Sequence, residues 1–133
     1  MLDLAAYLQR IGYAGELGTD EKTLSALHLA HARSIPFENL DILLGRPVSL
    51  DIDRVQDKLV QQRRGGYCFE QNTLFAGVLR EVGFKVTALA ARVRERQTRP
   101  LPRTHMCLLV HAGGQQWIAD VGFGGEGRSL ILI

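Results

Sequence analysis

The sequence predicts an α+β fold, on three observations. Up to Gly83, apolar residues recur at the three-to-four-residue spacing of helices. Beyond Gly83 the spacing changes to the alternation of strands, in segments rich in Val and Ala. A Gly113-Gly114 pair then separates two such segments, as in a tight hairpin. Helices first and an antiparallel sheet second are the order of α+β proteins rather than of alternating α/β ones.

The elements follow in order. Asp3 is expected to cap a short helix with Leu4, Leu8 and Ile11 on one face, ending near Gly12. Thr19-Asp20 opens a second, carrying Leu24, Leu27 and His31, with Pro36 just past its end. Residues 37–50 read as irregular, with Leu40, Ile42, Leu43 and Leu44 pinned to the core. Asp53 is expected to cap a helix that carries Val55, Leu59 and Val60 toward Gly65-Gly66. A helix then runs from Cys68 to about Val82, stops at Gly83, and carries the stripe Phe75, Val78, Leu79 and Val82. Residues 84–93 read as a strand and 95–103, with Pro100 and Pro102, as a loop. Residues 105–110 and 116–121 are the hairpin strands. The chain thus divides into a helical part, 1–83, and a partial β part, 84–133, with no flexible linker between them.

Composition narrows the class. With 46% hydrophobic and 23% charged residues, the 133-residue chain reads as one ordinary soluble unit. A net charge of +2 argues for no nucleic-acid partner, and the basic stretch 92–103, with its prolines and Glu95, suits a solvated loop. No run approaches the length of a membrane span, and Asp3 interrupts any leader-like start. Two cysteines outside any CxxC pattern suggest reduced thiols and a cytoplasmic setting.

The chemistry concentrates in residues 63–72, Arg-Arg-Gly-Gly-Tyr-Cys-Phe-Glu-Gln-Asn. Cys68 falls in the first turn of its helix, where unpaired N–H groups and the helix dipole favour a thiolate. The paired glycines allow close approach of a substrate. His105 and Asp120 follow, which supplies a nucleophile, a base and a group to orient the base. Asp120 closes an apolar run, Trp117-Ile118-Ala119, so a buried carboxylate there needs a partner. Its plainer reading is a turn residue before Gly122. Cys107, alternating with Met106 on a strand, reads as packing. A zinc set of Cys68, His105, Cys107 and His111 lacks the paired ligand spacings of structural zinc sites. The stretch 122–127, Gly-Phe-Gly-Gly-Glu-Gly, is a glycine-rich loop without the lysine and hydroxyl of a Walker loop.

Four segments carry a family resemblance: 35–40 (Ile-Pro-Phe-Glu-Asn-Leu), 64–72, 104–106 (Thr-His-Met) and 120–124 (Asp-Val-Gly-Phe-Gly). In order and spacing the chain resembles the arylamine N-acetyltransferases, over nearly all of its length. Chains of that family are longer. This one resembles their N-terminal half and stops before the rest of a β-rich domain and a C-terminal α/β lid. The resemblance implies a helical bundle followed by the start of an antiparallel, β-barrel-like sheet around a cysteine-protease-like catalytic core.

The same resemblance implies roles. Cys68, His105 and Asp120 would be catalytic, with His105 preferred over His28, His31 and His111 because it matches the family motif. Acetyl-CoA would acetylate Cys68, and an arylamine or arylhydrazine nitrogen would take the acetyl group, with no metal. Phe37 and Phe123 would receive the flat amine, although for Phe37 an ordinary core position is an equal alternative. Gly124, Gly125 and Gly127 would line the acetyl-CoA approach. Arg64 and Glu38 read as scaffold, with Arg64 in an ion pair that buttresses the cysteine loop. Glu70 and Gln71 read as first-turn residues that favour the helix dipole. The Cys-His-Asp order also resembles papain-like proteases and transglutaminases, so a cysteine amide hydrolase or transferase stays open, as does a non-catalytic fragment. The apolar run 129–133 reads as an unfinished strand that pairs with a second copy or with a C-terminal fragment.

Overall fold

The computed structural model describes residues 1–93, 104–124 and 129–133. In it, helices precede an antiparallel sheet, as expected. Helix α1 (Leu4–Ile11) starts at Asp3, whose carboxylate accepts the Ala6 N–H at 2.9 Å. Helix α2 (Glu21–Ser34) starts at Asp20, which accepts the Thr23 N–H at 2.9 Å. Both caps are short acceptors that satisfy donors the first helical turn leaves unpaired.

The segment between α2 and the cysteine helix departs from expectation. A short helix, α3 (Leu40–Leu43), forms there, and its apolar residues face outward. Leu40, Ile42, Leu43 and Leu44 are exposed, Leu43 at 72%. Charge, not hydrophobic burial, anchors this turn. Asp41 turns inward to Lys58 (2.8 Å) and Arg64 (3.1 Å), so the leucines beside it on one short turn point elsewhere. The next helix, α4 (Ile52–Gln56), is capped by Asp51 rather than Asp53: the Asp51 carboxylate accepts from the N–H groups of Asp53 (3.1 Å) and Arg54 (3.3 Å). Asp53 instead lies inside the first turn. The helix then widens into a π turn, Asp57–Gln61, that buries Leu59 and Val60.

Helix α5 (Cys68–Val82) is the centre of the fold and ends at Gly83 in the left-handed region, φ 115°. It packs on α1, α4, β1 and β2. The strands are β1 (Lys85–Ala91), β2 (His105–Ala112), β3 (Gln115–Asp120) and β4 (Ser129–Leu132), antiparallel in that order. Gly113-Gly114 make the β2–β3 turn with φ of 59° and 77°, the positive values such a tight hairpin turn requires. The loop expected over 95–103 lies outside the described residues.

Leu108, Val110 and Ala112 of β2 and Ala119 of β3 share one buried cluster with Leu74, Phe75, Val78 and Leu79 of α5 and with Tyr7, Leu24 and Leu27. Helices and sheet therefore close on a common core. Among the described residues, no helix is long and apolar enough to cross a membrane.

Candidate active site

Close backbone approach builds the site. At Gly65 an added Cβ would lie 2.1 Å from the Pro36 carbonyl oxygen, and at Gly122 it would lie 2.8 Å from Cys68 Cα. No real side chain tolerates such contacts, so the cysteine loop rests directly on the 36–38 segment and the end of β3 rests directly on the start of α5. The Gly66 N–H donates to the Pro36 carbonyl (3.3 Å), and the Glu38 N–H to the Gly66 carbonyl (3.0 Å). The Glu38 carboxylate accepts the Gly65 N–H at 3.0 Å and pairs with Arg64, which also reaches Asp41. Arg64 thus braces the loop by an ion pair, as the sequence suggested.

Glu70 and Gln71 do more than favour a dipole. Glu70 is buried, accepts the Tyr67 N–H at 3.3 Å and pairs with Lys58 at 2.9 Å. The Gln71 amide donates to the carbonyls of Pro36 (2.8 Å) and Gly66 (3.2 Å), one on the 36–38 segment and one on the cysteine loop. With its nitrogen used this way, its oxygen accepts from His31 Nε2 at 2.7 Å. Burial holds His31 down to about 4, so its ring is neutral. With Nε2 as the donor, Nδ1 accepts the Tyr7 hydroxyl at 2.8 Å. A buried chain, Tyr7–His31–Gln71, therefore links α1 through α2 to the cysteine loop.

Three expected residues come together at the start of α5. Cys68 is buried, and its thiol faces the Thr104 carbonyl at 3.9 Å, next to His105. His105, the first residue of β2, bonds Asp120 Oδ2 through Nε2. Since a carboxylate only accepts, Nε2 carries the proton, and in the neutral ring Nδ1 is the basic nitrogen. Asp120 is fixed from further sides: Oδ1 accepts from the Gly122 N–H (2.9 Å) and Asn72 Nδ2 (3.0 Å), and its carbonyl from His28 Nε2 (3.1 Å). This is a partnered buried carboxylate, not a plain turn residue.

The thiol itself corrects one expectation. Burial pushes Cys68 above its ordinary value, and the negative charge of Asp120 pushes the same way, against backbone N–H groups that pull it down. The helix start alone does not deliver a thiolate. A thiolate here needs its proton to pass to His105, so that the buried pair stays neutral overall. Cys107 is also pushed up by burial, on a strand position paired with Leu89.

Phe37 and Phe123 are both 45% exposed, so neither is a core residue. The Phe123 ring stands edge-on to His105 with centroids 5.3 Å apart. The Phe37 ring lies against Gly124, where an added Cβ would meet it at 3.2 Å. Phe123 thus stands against His105, and Phe37 against Gly124, the residue after Phe123. Gly125 and Gly127 lie outside the described residues. Among the described residues, no group of three His, Cys, Asp or Glu is placed to hold a metal.

Sequence reasoning gave no role to Asn72 or His28, and none beyond packing to His31. The signal was present: neighbouring amides, Gln71-Asn72, precede the apolar stripe of α5, and histidines sit on the inward face of α2.

Comparison with known proteins agrees across sequence and structure. A family model described as N-acetyltransferase matches residues 20–132. The chain is 53% identical to an arylamine N-acetyltransferase of Escherichia coli over 90% of its own length and 43% of that relative. It is 49% identical to one from Mycolicibacterium smegmatis, over 94% of its own length and 48% of the relative. The chain thus spans under half the length of these curated relatives. The solved arylamine N-acetyltransferase of Salmonella typhimurium superposes with a TM-score of 0.93 at 45% identity, covering 98% of this chain and 48% of that one. The enzyme of Mycobacterium marinum, solved in complex with CoA, superposes with a TM-score of 0.85 at 42% identity, over 97% and 50% of the two chains.

Proposed function

The chain belongs to the arylamine N-acetyltransferase family, and on that premise we propose that it carries the acyl-transfer centre of an acetyl-CoA-dependent arylamine acetyltransferase. The observation that carries the reading is the hydrogen bond from His105 Nε2 to buried Asp120, with the Cys68 thiol at the helix start facing the carbonyl of Thr104, the residue before His105. Cys68 passes its proton to His105 Nδ1, and the thiolate attacks the acetyl carbonyl carbon. The bond to the CoA sulfur breaks, and the departing thiolate takes the proton back from His105. Acetyl-cysteine remains. A neutral aromatic amine or hydrazine then attacks it, His105 removes the excess proton from nitrogen, and the Cys68 thiolate leaves. Backbone N–H groups of the first turn of α5 are the oxyanion donors. Asp120 supports the charged form of His105 in both halves.

In this reading the core has a cysteine-protease-like arrangement, with the nucleophile in the helical part to residue 83 and the base and carboxylate in the β part from 84. Phe37 and Phe123 receive the flat amine. Gly124 lines the acetyl-CoA approach; the same expectation for Gly125 and Gly127 falls outside the described residues. Pairing of the β4 edge with a second copy or a C-terminal segment belongs to the same reading, supported by the exposed Ile131 and Leu132.

Intact-mass measurement after exposure to a small activated acetyl ester, and separately to acetyl-CoA, tests it. One added acetyl group that maps to Cys68 and is removed by an arylamine is the expected result. Acetylation confined to Cys107, or none with either donor, refutes the assignment. An acetyl-cysteine that water or a primary alkylamine discharges as fast as an arylamine points instead to a cysteine hydrolase or amide transferase.

A further inference from the structure

Asn72 lies one turn beyond Cys68 on α5 and is completely buried. Its nitrogen donates to Asp120 Oδ1 (3.0 Å) and to the Met106 carbonyl (2.8 Å), and its oxygen accepts the Val121 N–H (3.2 Å). These partners belong to β2, just after His105, and to the end of β3, around Asp120. One amide therefore ties together the helix that carries the nucleophile and the two strands that carry the base and its orienter. Asp120 has two oxygens. Oδ2 meets His105, and Oδ1 is held by the Gly122 N–H (2.9 Å) together with Asn72. A single donor at Oδ1 leaves a hinge about which the carboxylate rotates. Two donors from different elements leave one orientation, in which Oδ2 faces His105.

We propose that Asn72 is a positioning residue for acyl transfer: it fixes the rotamer of Asp120 and thereby holds His105 with Nδ1 as the base that takes the Cys68 proton. The proposal rests on the reading of Cys68, His105 and Asp120 as the acyl-transfer centre. A neutral amide is needed at this place. A carboxylate there would stand against Asp120, two such groups in contact cannot both ionise, and the shared proton would weaken the hold on imidazolium. A merely structural clamp would cost stability when removed but would leave the acid–base behaviour of Cys68 unchanged.

The test is iodoacetamide alkylation of the whole chain from about pH 5 to pH 9, resolved by peptide mapping, with Cys107 as internal reference and thermal unfolding in parallel. In the parent, Cys68 should react well ahead of Cys107 on the acid side. Asn72→Asp should slow Cys68 alkylation about tenfold near pH 6 by moving its profile toward higher pH, with the Cys107 rate unchanged. If Asn72→Asp does not fold, Asn72→Ser carries the test below its unfolding temperature. It should also lose the downfield proton resonance of the His105–Asp120 hydrogen bond. Folded variants with the parent's pH profile overturn the proposal and leave the centre standing. A parent whose Cys68 reacts no faster than Cys107 overturns the centre and this inference together.

Discussion

The fold keeps the ring of His31 neutral over a wide range of pH. The ring is fully buried between Tyr7 and Gln71, and burial lowers it to about 4 from an ordinary 6.5. The unfolded chain takes up a proton on this ring below 6.5 and the folded chain does not until about 4. Stability present above 6.5 is therefore lost as pH falls toward 4, by roughly 3 kcal/mol in all. Thermal unfolding followed across this window should show the midpoint falling with pH, and His31→Gln should flatten that slope at the cost of a lower midpoint near neutrality. A slope unchanged in the variant would assign it to other groups. Asp120→Asn is the companion experiment at the site. An amide keeps a hydrogen bond to His105 but not the charge that stabilises imidazolium. Cys68 alkylation should slow by an order of magnitude or more near neutral pH, with a far smaller change in unfolding temperature.

At the scale of elements, the start of α5 and the end of β3 approach so closely at Gly122 that no side chain fits there. Gly122 is the contact, and a Cβ there meets Cys68 Cα at 2.8 Å, its carbonyl oxygen at 3.1 Å and Gln71 Cβ at 3.0 Å. None of these atoms is the far end of a flexible side chain, so the two elements must move apart. Gly122→Ala should cost about 1–3 kcal/mol of stability and slow acylation of Cys68, because it separates Asp120 and His105 from the nucleophile. An alanine variant acylated at the parent's rate would mean that the β3 end adjusts without disturbing the site. In α3, by contrast, Leu40, Ile42, Leu43 and Leu44 are exposed because one inward Asp41 fixes the orientation of a single turn.

For the whole molecule, Phe75 measures how strongly helices and sheet depend on one another. It is fully buried on α5, its ring stands edge-on to both His28 and His31 of α2, and it belongs to the cluster that includes Leu108 and Ala119. Phe75→Ala should cost about 3–5 kcal/mol and lower one cooperative transition, read alike by far-ultraviolet and aromatic circular dichroism. Two transitions that separate in the variant would mean that residues to 83 and from 84 unfold as separate units.

Local chemistry was legible in the sequence, and long-range chemistry was not. Helix ends at Gly12 and Gly83, caps at Asp3 and Asp20, the Gly113-Gly114 hairpin and the start of α5 at Cys68 each depend on residues within a turn of one another, so spacing alone determined them. The outward turn of α3 and the cap at Asp51 depart from what spacing predicts because ion pairs with Lys58 and Arg64, and a choice between two nearby aspartates, decide them. The resemblance of four short segments pointed to Cys68, His105 and Asp120. Only the tertiary structure decided what holds them: Asn72 across β2 and β3, His28 on the Asp120 carbonyl, and the Tyr7–His31–Gln71 chain beneath the cysteine loop. The physical reason is common to all three. A buried polar side chain must find partners, and those partners lie dozens of residues away in the chain, where periodicity and spacing carry no information.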